Sequence, residues 1–163
     1  MTDARHLAQF NIARSKYPLD DPRMAEFVDN VVRVNGLAEK IEGFVWRLQD
    51  ESGSAMGMTV YDDPRILPNL TVWENVEALE RFVFKTVHSR FYGRREEWFE
   101  PMETPLVLWH VPQGHRPSIA EGVERLDYLR EHGPSDYAFG WAHIPAAQHW
   151  KTARCGASAE HAA

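Results

Sequence analysis

Cysteine is almost absent from this chain of 163 residues, because Cys155 is the only one. An internal disulfide is therefore excluded, and no set of cysteines and histidines has the spacing of a structural zinc site. His143, His149 and His161, near the C-terminus, lack metal-ligand spacing as well. We therefore expect no metal bound by clustered side chains.

Long apolar runs and sustained positive charge are also missing. No run approaches the roughly 20 apolar residues that span a bilayer, and the N-terminus lacks the apolar segment of a signal peptide. The net charge is −6, and the basic group Arg90, Arg94 and Arg95 is followed at once by glutamates. Since nucleic-acid binding needs a basic face, the sequence predicts a cytoplasmic protein that binds neither nucleic acid nor membranes.

Three common catalytic signatures are missing too: the nucleophile elbow, the phosphate-binding loop and the dinucleotide fingerprint. Aromatic residues, in contrast, are plentiful, with six tryptophans and eight phenylalanines. They supply buried area for a core or an interface, and they also suit a pocket for a flat ligand. We expect one domain over residues 1–144 and a flexible tail over 145–163.

The pattern of apolar residues predicts an α+β fold. Alternation indicates strands at 6–13, 44–48, 68–74 and 106–111. Three-and-four spacing, with caps at Asp21 and Ser118, predicts helices at 22–40, 75–98 and 118–131. Two segments are less regular: residues 58–63 could extend the sheet, and 137–144 form a last strand or a packed arm. The order predicts a ferredoxin-like βαββαβ plait with an added C-terminal helix.

Right-handed crossovers place the two helices of such a plait on one face of the sheet. We expect the apolar sides of the strands, such as Phe10 and Ile12, to contact those helices. The half-polar sides would then lie on a bare face that a second copy covers. The sequence thus predicts a homodimer whose two sheets enclose a barrel-like cavity.

Polar side chains recur on the half-polar side of three predicted strands. They are Gln9 and Asn11 in the first, Arg47 in the second, and Asn69, Thr71 and Trp73 in the third. Amides, a guanidinium and an indole would bind a small, partly aromatic or carbonyl-bearing molecule. Alternatively, these groups only satisfy hydrogen bonds of loops and of the dimer.

A second set lies on the predicted helix 75–98. Phe84, His88, Phe91, Arg95 and Trp98 fall within an arc of about 80° at about 100° per residue. Here His88 could act as a general base or hold a haem iron, and Arg95 could anchor a carboxylate. In the alternative interpretation, His88 ends a packing seam and Arg95 pairs with a surface glutamate. This second set and the polar strand residues are predicted to serve two separate compartments.

Several separated motifs, in order, carry a resemblance to a known family over about residues 6–140. They are His6–Asn11, Gly43–Leu48, Asn69–Trp73, Phe82–Lys85, His88, Arg95–Phe99, Leu108–Pro112 and Gly133–Pro134. The chain thereby resembles the bacterial domain-of-unknown-function family 3291. That family looks like a member of the dimeric α+β barrel superfamily, with the antibiotic-biosynthesis monooxygenases, chlorite dismutases and related haem proteins. The resemblance implies the plait and the dimer, but fold does not fix a reaction.

We therefore expect a small-molecule enzyme that resembles cofactor-independent monooxygenases, or an isomerase or cyclase. Asn11, Trp73 and His88 are the candidate catalytic residues. The candidate substrate-binding residues are Gln9, Arg47, Asn69, Thr71, Arg95 and Trp98. No cofactor is expected; the alternatives are a haem protein with His88 as axial ligand and a non-catalytic dimer that binds a metabolite.

Overall fold

A five-stranded antiparallel sheet forms the centre of the computed structural model, which describes residues 4–86 and 88–144. The strands are β1 Arg5–Ser15, β2 Phe44–Arg47, β3 Ile66–Trp73, β4 Phe99–Glu100 and β5 Leu106–Pro112. β1 lies between β3 and β5, β2 pairs with the outer edge of β3, and the short β4 pairs with the end of β1. The four predicted strands are confirmed to within two residues at each end, whereas β4 was not predicted.

Four α-helices lie in the described part of the chain. They are α1 Ala25–Ala38, α2 Val76–Lys85, α3 His88–Gly93 and α4 Ile119–His132, and a 3-10 turn at Pro22–Met24 precedes α1. The predicted caps are confirmed: the Asp21 carboxylate accepts a hydrogen bond from the Arg23 amide at 2.9 Å, and the Ser118 hydroxyl accepts one from the Glu121 amide at 3.1 Å. Short polar side chains thus fix where these helices begin.

The prediction of one continuous helix over 75–98 is wrong. Thr86 has an extended backbone, with φ −119° and ψ −177°, which ends α2. Its hydroxyl donates to the Phe82 carbonyl at 2.6 Å and accepts from the His88 amide at 3.1 Å. One side chain therefore terminates α2 and caps the start of α3. Beyond α3, Arg95–Glu97 forms only a 3-10 turn.

The apolar face of the sheet is covered by α4. Phe10, Leu70 and Trp109 are fully buried and pack with Leu126 of α4. At Gly122 of α4, an added Cβ would lie 2.7 Å from the Phe10 ring. The helix therefore lies directly on this face. The expectation that the apolar strand sides contact the crossover helices is wrong.

The crossover helices lie together on one face, as predicted, but on the half-polar one. Ala38 of α1 and Leu79 and Phe82 of α2 cluster with Leu7 and Trp73 of the sheet. The expected bare sheet face is therefore wrong as well, because each face has helices against it. Both sides of β1 are largely buried, so apolar content did not reveal which helices cover which side.

The two irregular segments take clear forms. Leu108 and Phe139 exchange backbone hydrogen bonds of 2.7 and 2.9 Å, and a 3-10 turn follows at Trp141–His143. Residues 137–144 are thus a packed arm. Within 58–63, Val60 and Asp63 form an isolated bridge that does not extend the sheet.

No helix among residues 4–86 and 88–144 is long and apolar enough to cross a bilayer. The predicted tail at 145–163, with Cys155, His149 and His161, lies outside the described residues.

Candidate functional site

A cavity of about 310 Å³ separates the half-polar face of the sheet from α1, α2 and α3. This size is at the lower end of the usual range for small-molecule sites. Strand side chains form one wall, which we call the floor. The helices supply the opposite wall, and the loop at Ser54–Met56 and the arm residue Trp141 contribute to the lining.

The cavity brings together both sets of residues that the sequence suggested. Of the nine predicted site residues, eight line it: Gln9, Asn11, Arg47, Asn69, Thr71, His88, Arg95 and Trp98. The prediction of two separate compartments is therefore wrong. The prediction failed because the sequence assigned the crossover helices to the apolar sides of the strands. In the structure, the polar strand sides and the α2–α3 segment face each other across one space.

Hydrogen bonds connect the side chains of the floor into a ladder. Thr71 Oγ1 donates to Gln9 Oε1 at 2.8 Å, and Gln9 Nε2 donates to Asn11 Oδ1 at 2.6 Å. Asn69 Nδ2 donates to Asn11 Oδ1 at 3.0 Å and lies 3.4 Å from Gln9 Oε1. The strand register makes this geometry, because Gln9 lies opposite Thr71 and Asn11 opposite Asn69. The ladder therefore holds the amides in fixed orientations.

Trp73 is the predicted site residue that does not line the cavity. Its ring is fully buried, edge-on to Phe44 at 5.4 Å and stacked on Phe82 at 5.5 Å. Its Nε1 donates to Thr71 Oγ1 at 2.8 Å. Trp73 therefore supports two lining residues, Thr71 and Phe82, from behind. The direct contact with a ligand that the sequence suggested is not possible from this buried position.

Arg47 reaches the cavity from β2 and is only 8% exposed. Its Nε donates to a Glu39 carboxylate oxygen at 3.1 Å, and another guanidinium nitrogen donates to the Gly53 carbonyl at 2.7 Å. These contacts join α1, β2 and the 49–57 loop. Arg47 therefore holds one end of the cavity together while keeping positive charge at its edge.

His88 is the first residue of α3 and lies among aromatic rings. Its ring centroid is 4.7 Å from that of Phe82 and 6.2 Å from that of Tyr92. Nδ1 lies 3.3 Å from the Val83 carbonyl, which can only accept, so Nδ1 carries the proton. Burial lowers the pKa of His88, and the contact with Val83 opposes this shift. The neutral ring therefore has its lone pair on Nε2, for which the described residues provide no hydrogen-bond partner.

The remaining predicted residues lie beyond α3. Arg95 donates to the Tyr92 carbonyl at 2.8 Å, and its guanidinium lies 4.3 Å from the Tyr92 ring centroid. Trp98 is buried and stacks on Phe91 at 6.0 Å. These side chains give the helical wall an aromatic surface with one cation beside it.

Several lining residues were not predicted as site residues. Asn30 and Asn35 of α1 and Trp141 of the arm all contribute to the cavity. In the sequence, α1 showed an apolar stripe that predicted burial, and the two asparagines at its border carried no signal of their own. Trp141 could not be placed because the arm has no regular pattern.

The described residues contain no group of three or more His, Cys, Asp or Glu side chains that could hold a metal ion. His88 Nε2 could supply one ligand to the metal of a preformed cofactor. Chemically, the site combines a neutral base, oriented amide donors and a flat apolar wall.

Comparisons with known proteins identify a family but no activity. The family described as "Domain of unknown function (DUF3291)" matches residues 6–155. No curated protein matches the chain. Among solved structures, PA3566 from Pseudomonas aeruginosa shows 16% identity and a TM-score of 0.44, and the match covers 71% of this chain and 100% of that one. NE2512 from Nitrosomonas europaea, a protein of unknown function, shows 11% identity and a TM-score of 0.44, covering 71% of this chain and 96% of that one.

Proposed function

Because the chain belongs to the DUF3291 family, whose description assigns no activity, we propose a function from the cavity itself. The protein is a small-molecule enzyme that removes a proton from a ligand held between the sheet and the helices. The observation that carries this proposal is the placement of His88 and the amide floor around one space.

The protonation state of His88 suits it to accept a proton from the ligand. Its lowered pKa keeps the ring neutral at neutral pH, so Nε2 can accept a proton. Negative charge then develops on the ligand, and fixed amide donors stabilise such charge at little reorganisation cost. A deprotonated ligand can take back a proton at another atom, which is isomerisation. Alternatively, its carbanion can attack a carbonyl carbon of the same molecule, and the resulting alkoxide takes back the proton, which is cyclisation. With dioxygen as co-substrate it can instead be oxygenated, as the resemblance to cofactor-independent monooxygenases suggests.

The ferredoxin-like plait is part of this proposal. The strand order β2-β3-β1-β5 and the common face of α1 and α2 support it. The homodimer also stays a proposal. If it forms, its interface lies away from the sheet, because α4 covers the apolar face and α1 and α2 cover the half-polar face that the sequence left open.

The test is hydrogen–deuterium exchange in heavy water at the acidic C–H groups of a panel of small aryl ketones and hydroxyaromatic ketones, followed by NMR. We expect the protein to accelerate exchange for some members, and His88→Gln to slow it by roughly 10²- to 10⁴-fold. The matched control is His132→Gln on α4, because His132 is 51% exposed and remote from the cavity lining. Absence of exchange, or equal rates in His88→Gln, would contradict the proposal.

One observation favours haem binding as a second candidate. The Nδ1 proton of His88 is directed to a backbone carbonyl, which leaves Nε2 as the free ligand atom, as is usual for metal-binding histidines. Bound haem would supply redox chemistry at its iron. Added haemin should then give a Soret band that is lost in His88→Ala and retained in His132→Gln; no band in the wild type would exclude this candidate.

A further inference from the structure

We infer that the floor ladder has a fixed direction, set by Trp73, and ends in a hydrogen-bond donor that binds an acceptor oxygen of the ligand. The donor is Asn11 Nδ2, and the ligand class is a carbonyl compound, or its enolate or phenolate, on a flat aromatic skeleton. This inference rests on the proposed function only in placing the ligand in the cavity.

The direction starts at the indole of Trp73. An indole nitrogen can only donate, so the bond from Trp73 Nε1 to Thr71 Oγ1 at 2.8 Å makes the hydroxyl oxygen an acceptor. The hydroxyl proton of Thr71 then needs an acceptor of its own, and the neighbour at 2.8 Å is Gln9. Thr71 is 4% exposed, so water does not compete freely for this proton. The Gln9 atom at this place must therefore be the oxygen.

The orientation of each following amide is fixed by its hydrogen bond to the preceding side chain. With Gln9 Oε1 turned to Thr71, Gln9 Nε2 faces Asn11 at 2.6 Å and needs an oxygen there. Asn11 Oδ1 takes that place, and it also accepts from Asn69 Nδ2 at 3.0 Å. Reversing any one amide would set two donors or two acceptors against each other, which leaves buried polar groups unsatisfied at about 1–3 kcal/mol each.

Two polar groups at the end of the ladder have no hydrogen-bond partner among the described residues. Among the described residues, nothing accepts from Asn11 Nδ2 and nothing donates to Asn69 Oδ1, and both residues line the cavity. Asn11 is partly exposed, so its nitrogen can reach a ligand. The floor thus presents donor protons from Asn11 beside an acceptor oxygen from Asn69.

The helical wall opposite the floor determines which ligand skeleton fits this subsite. Phe82, Phe91, Tyr92 and Trp98 all line the cavity, and their rings favour a flat apolar partner. A carbonyl oxygen on an aromatic system places the acceptor against Asn11 and the ring against this wall. An adjacent hydroxyl would satisfy Asn69 Oδ1.

Two probes of nearly the same shape test this subsite: 2-naphthaldehyde, which carries an acceptor oxygen, and 2-methylnaphthalene, which does not. Affinities are measured by quenching of protein fluorescence and by NMR of the asparagine side-chain amides. We expect the wild type to bind the aldehyde roughly tenfold more tightly, the scale of one net hydrogen bond. The aldehyde should also shift the Asn11 amide resonances, whereas the hydrocarbon should not.

Asn11→Asp is the decisive variant. Its carboxylate still accepts from Gln9 and Asn69, so the ladder remains, but the outward donor becomes an acceptor. We expect the preference for the aldehyde to disappear or reverse, with the affinity for the hydrocarbon within about threefold of wild type. Asn35→Asp is the control for added charge, because Asn35 lines the cavity from α1 and is absent from the ladder. It should retain the preference.

Thr71→Val tests the role of Trp73 as a positioning residue. The change breaks the only link between the indole and Gln9, so Gln9 and Asn11 are free to turn and the preference should fall. Thr71→Ser restores a hydroxyl and should restore the preference. A merely structural role of Thr71 would lower the melting temperature without changing the ratio of the two affinities.

Four outcomes would overturn the inference: equal affinities in the wild type, a preference that survives Asn11→Asp, a preference unchanged in Thr71→Val, or no binding of either probe. None of these depends on turnover. Loss of base activity in the exchange test with an intact aldehyde preference would instead remove the function of His88 and leave the subsite.

Discussion

Trp73 illustrates how a residue's role depends on which of its atoms reach a site. The sequence placed its indole with the polar groups of the floor, and in the structure the ring is buried behind them. Alternation along β3 gave the correct side of the strand, because Thr71 and Trp73 are both on the cavity side and are hydrogen-bonded. The alternation could not show how deeply Trp73 is buried, because that depends on its packing against Phe44 and Phe82.

His88 should make stability depend on pH. Its folded pKa is below the unfolded value of about 6.5. Above this pH both states hold a neutral ring, and the histidine has no effect on the free energy of unfolding. As the pH falls through about 6.5, the unfolded chain binds the proton first, so the folded state loses stability until the lowered folded pKa is reached.

The measurement is the difference in melting temperature between about pH 8 and about pH 5, on either side of the ordinary histidine pKa. His88→Gln should show a smaller decrease than the wild type, since glutamine does not titrate. His132→Gln, an exposed substitution on α4, is the control for the loss of a histidine side chain. A decrease in His88→Gln as large as in the wild type would show that the ring is protonated equally in both states.

Among the secondary-structure elements, the sequence indicated where helices begin more clearly than where a helix is interrupted. Asp21 and Ser118 are short polar residues at the starts of apolar stripes, and both caps are present. The interruption between α2 and α3 at Thr86 is not marked by a proline or a glycine in the sequence. It depends on the hydroxyl contacts with Phe82 and His88, which a periodicity of apolar residues does not report.

The contact of α4 with the sheet predicts a specific sensitivity. Gly122→Ala would place a methyl group 2.7 Å from the Phe10 ring. Overpacking of this kind costs about 1–3 kcal/mol, which denaturant unfolding can measure. Gly36→Ala on α1 is the matched control, because a Cβ there meets nothing within 4 Å. It should stabilise the helix by up to about 1 kcal/mol; similar effects at both positions would contradict the close packing of α4.

At the scale of the whole molecule, each sheet face is covered by helices of the same chain. α4 covers the side with Phe10 and Leu70, and α1 and α2 cover the side with Leu7 and Trp73. The order of the elements was predictable from the sequence because caps, alternation and stripes are local. The assignment of helices to faces is a non-local property, and both strand sides carry enough apolar residues to fit either layer.

This arrangement predicts folding without a second copy. Because no apolar sheet face awaits a partner among the described elements, the chain should stay folded, with the same circular dichroism spectrum, at dilutions at which light scattering records a monomer. If the proposed homodimer forms, its dissociation should lower the melting temperature without unfolding the chain. Loss of the folded spectrum on dissociation would show that association covers apolar surface that the helices leave open.

β1 contributes to both layers by alternation: Phe10 belongs to the core under α4, while Gln9 and Asn11 belong to the floor of the cavity. A slip of β1 by one residue relative to β3 and β5 would exchange the two sets, because side chains alternate with a period of two. The core would then receive amides, and the floor would receive a phenylalanine. The register of this one strand therefore determines the composition of both the core and the site.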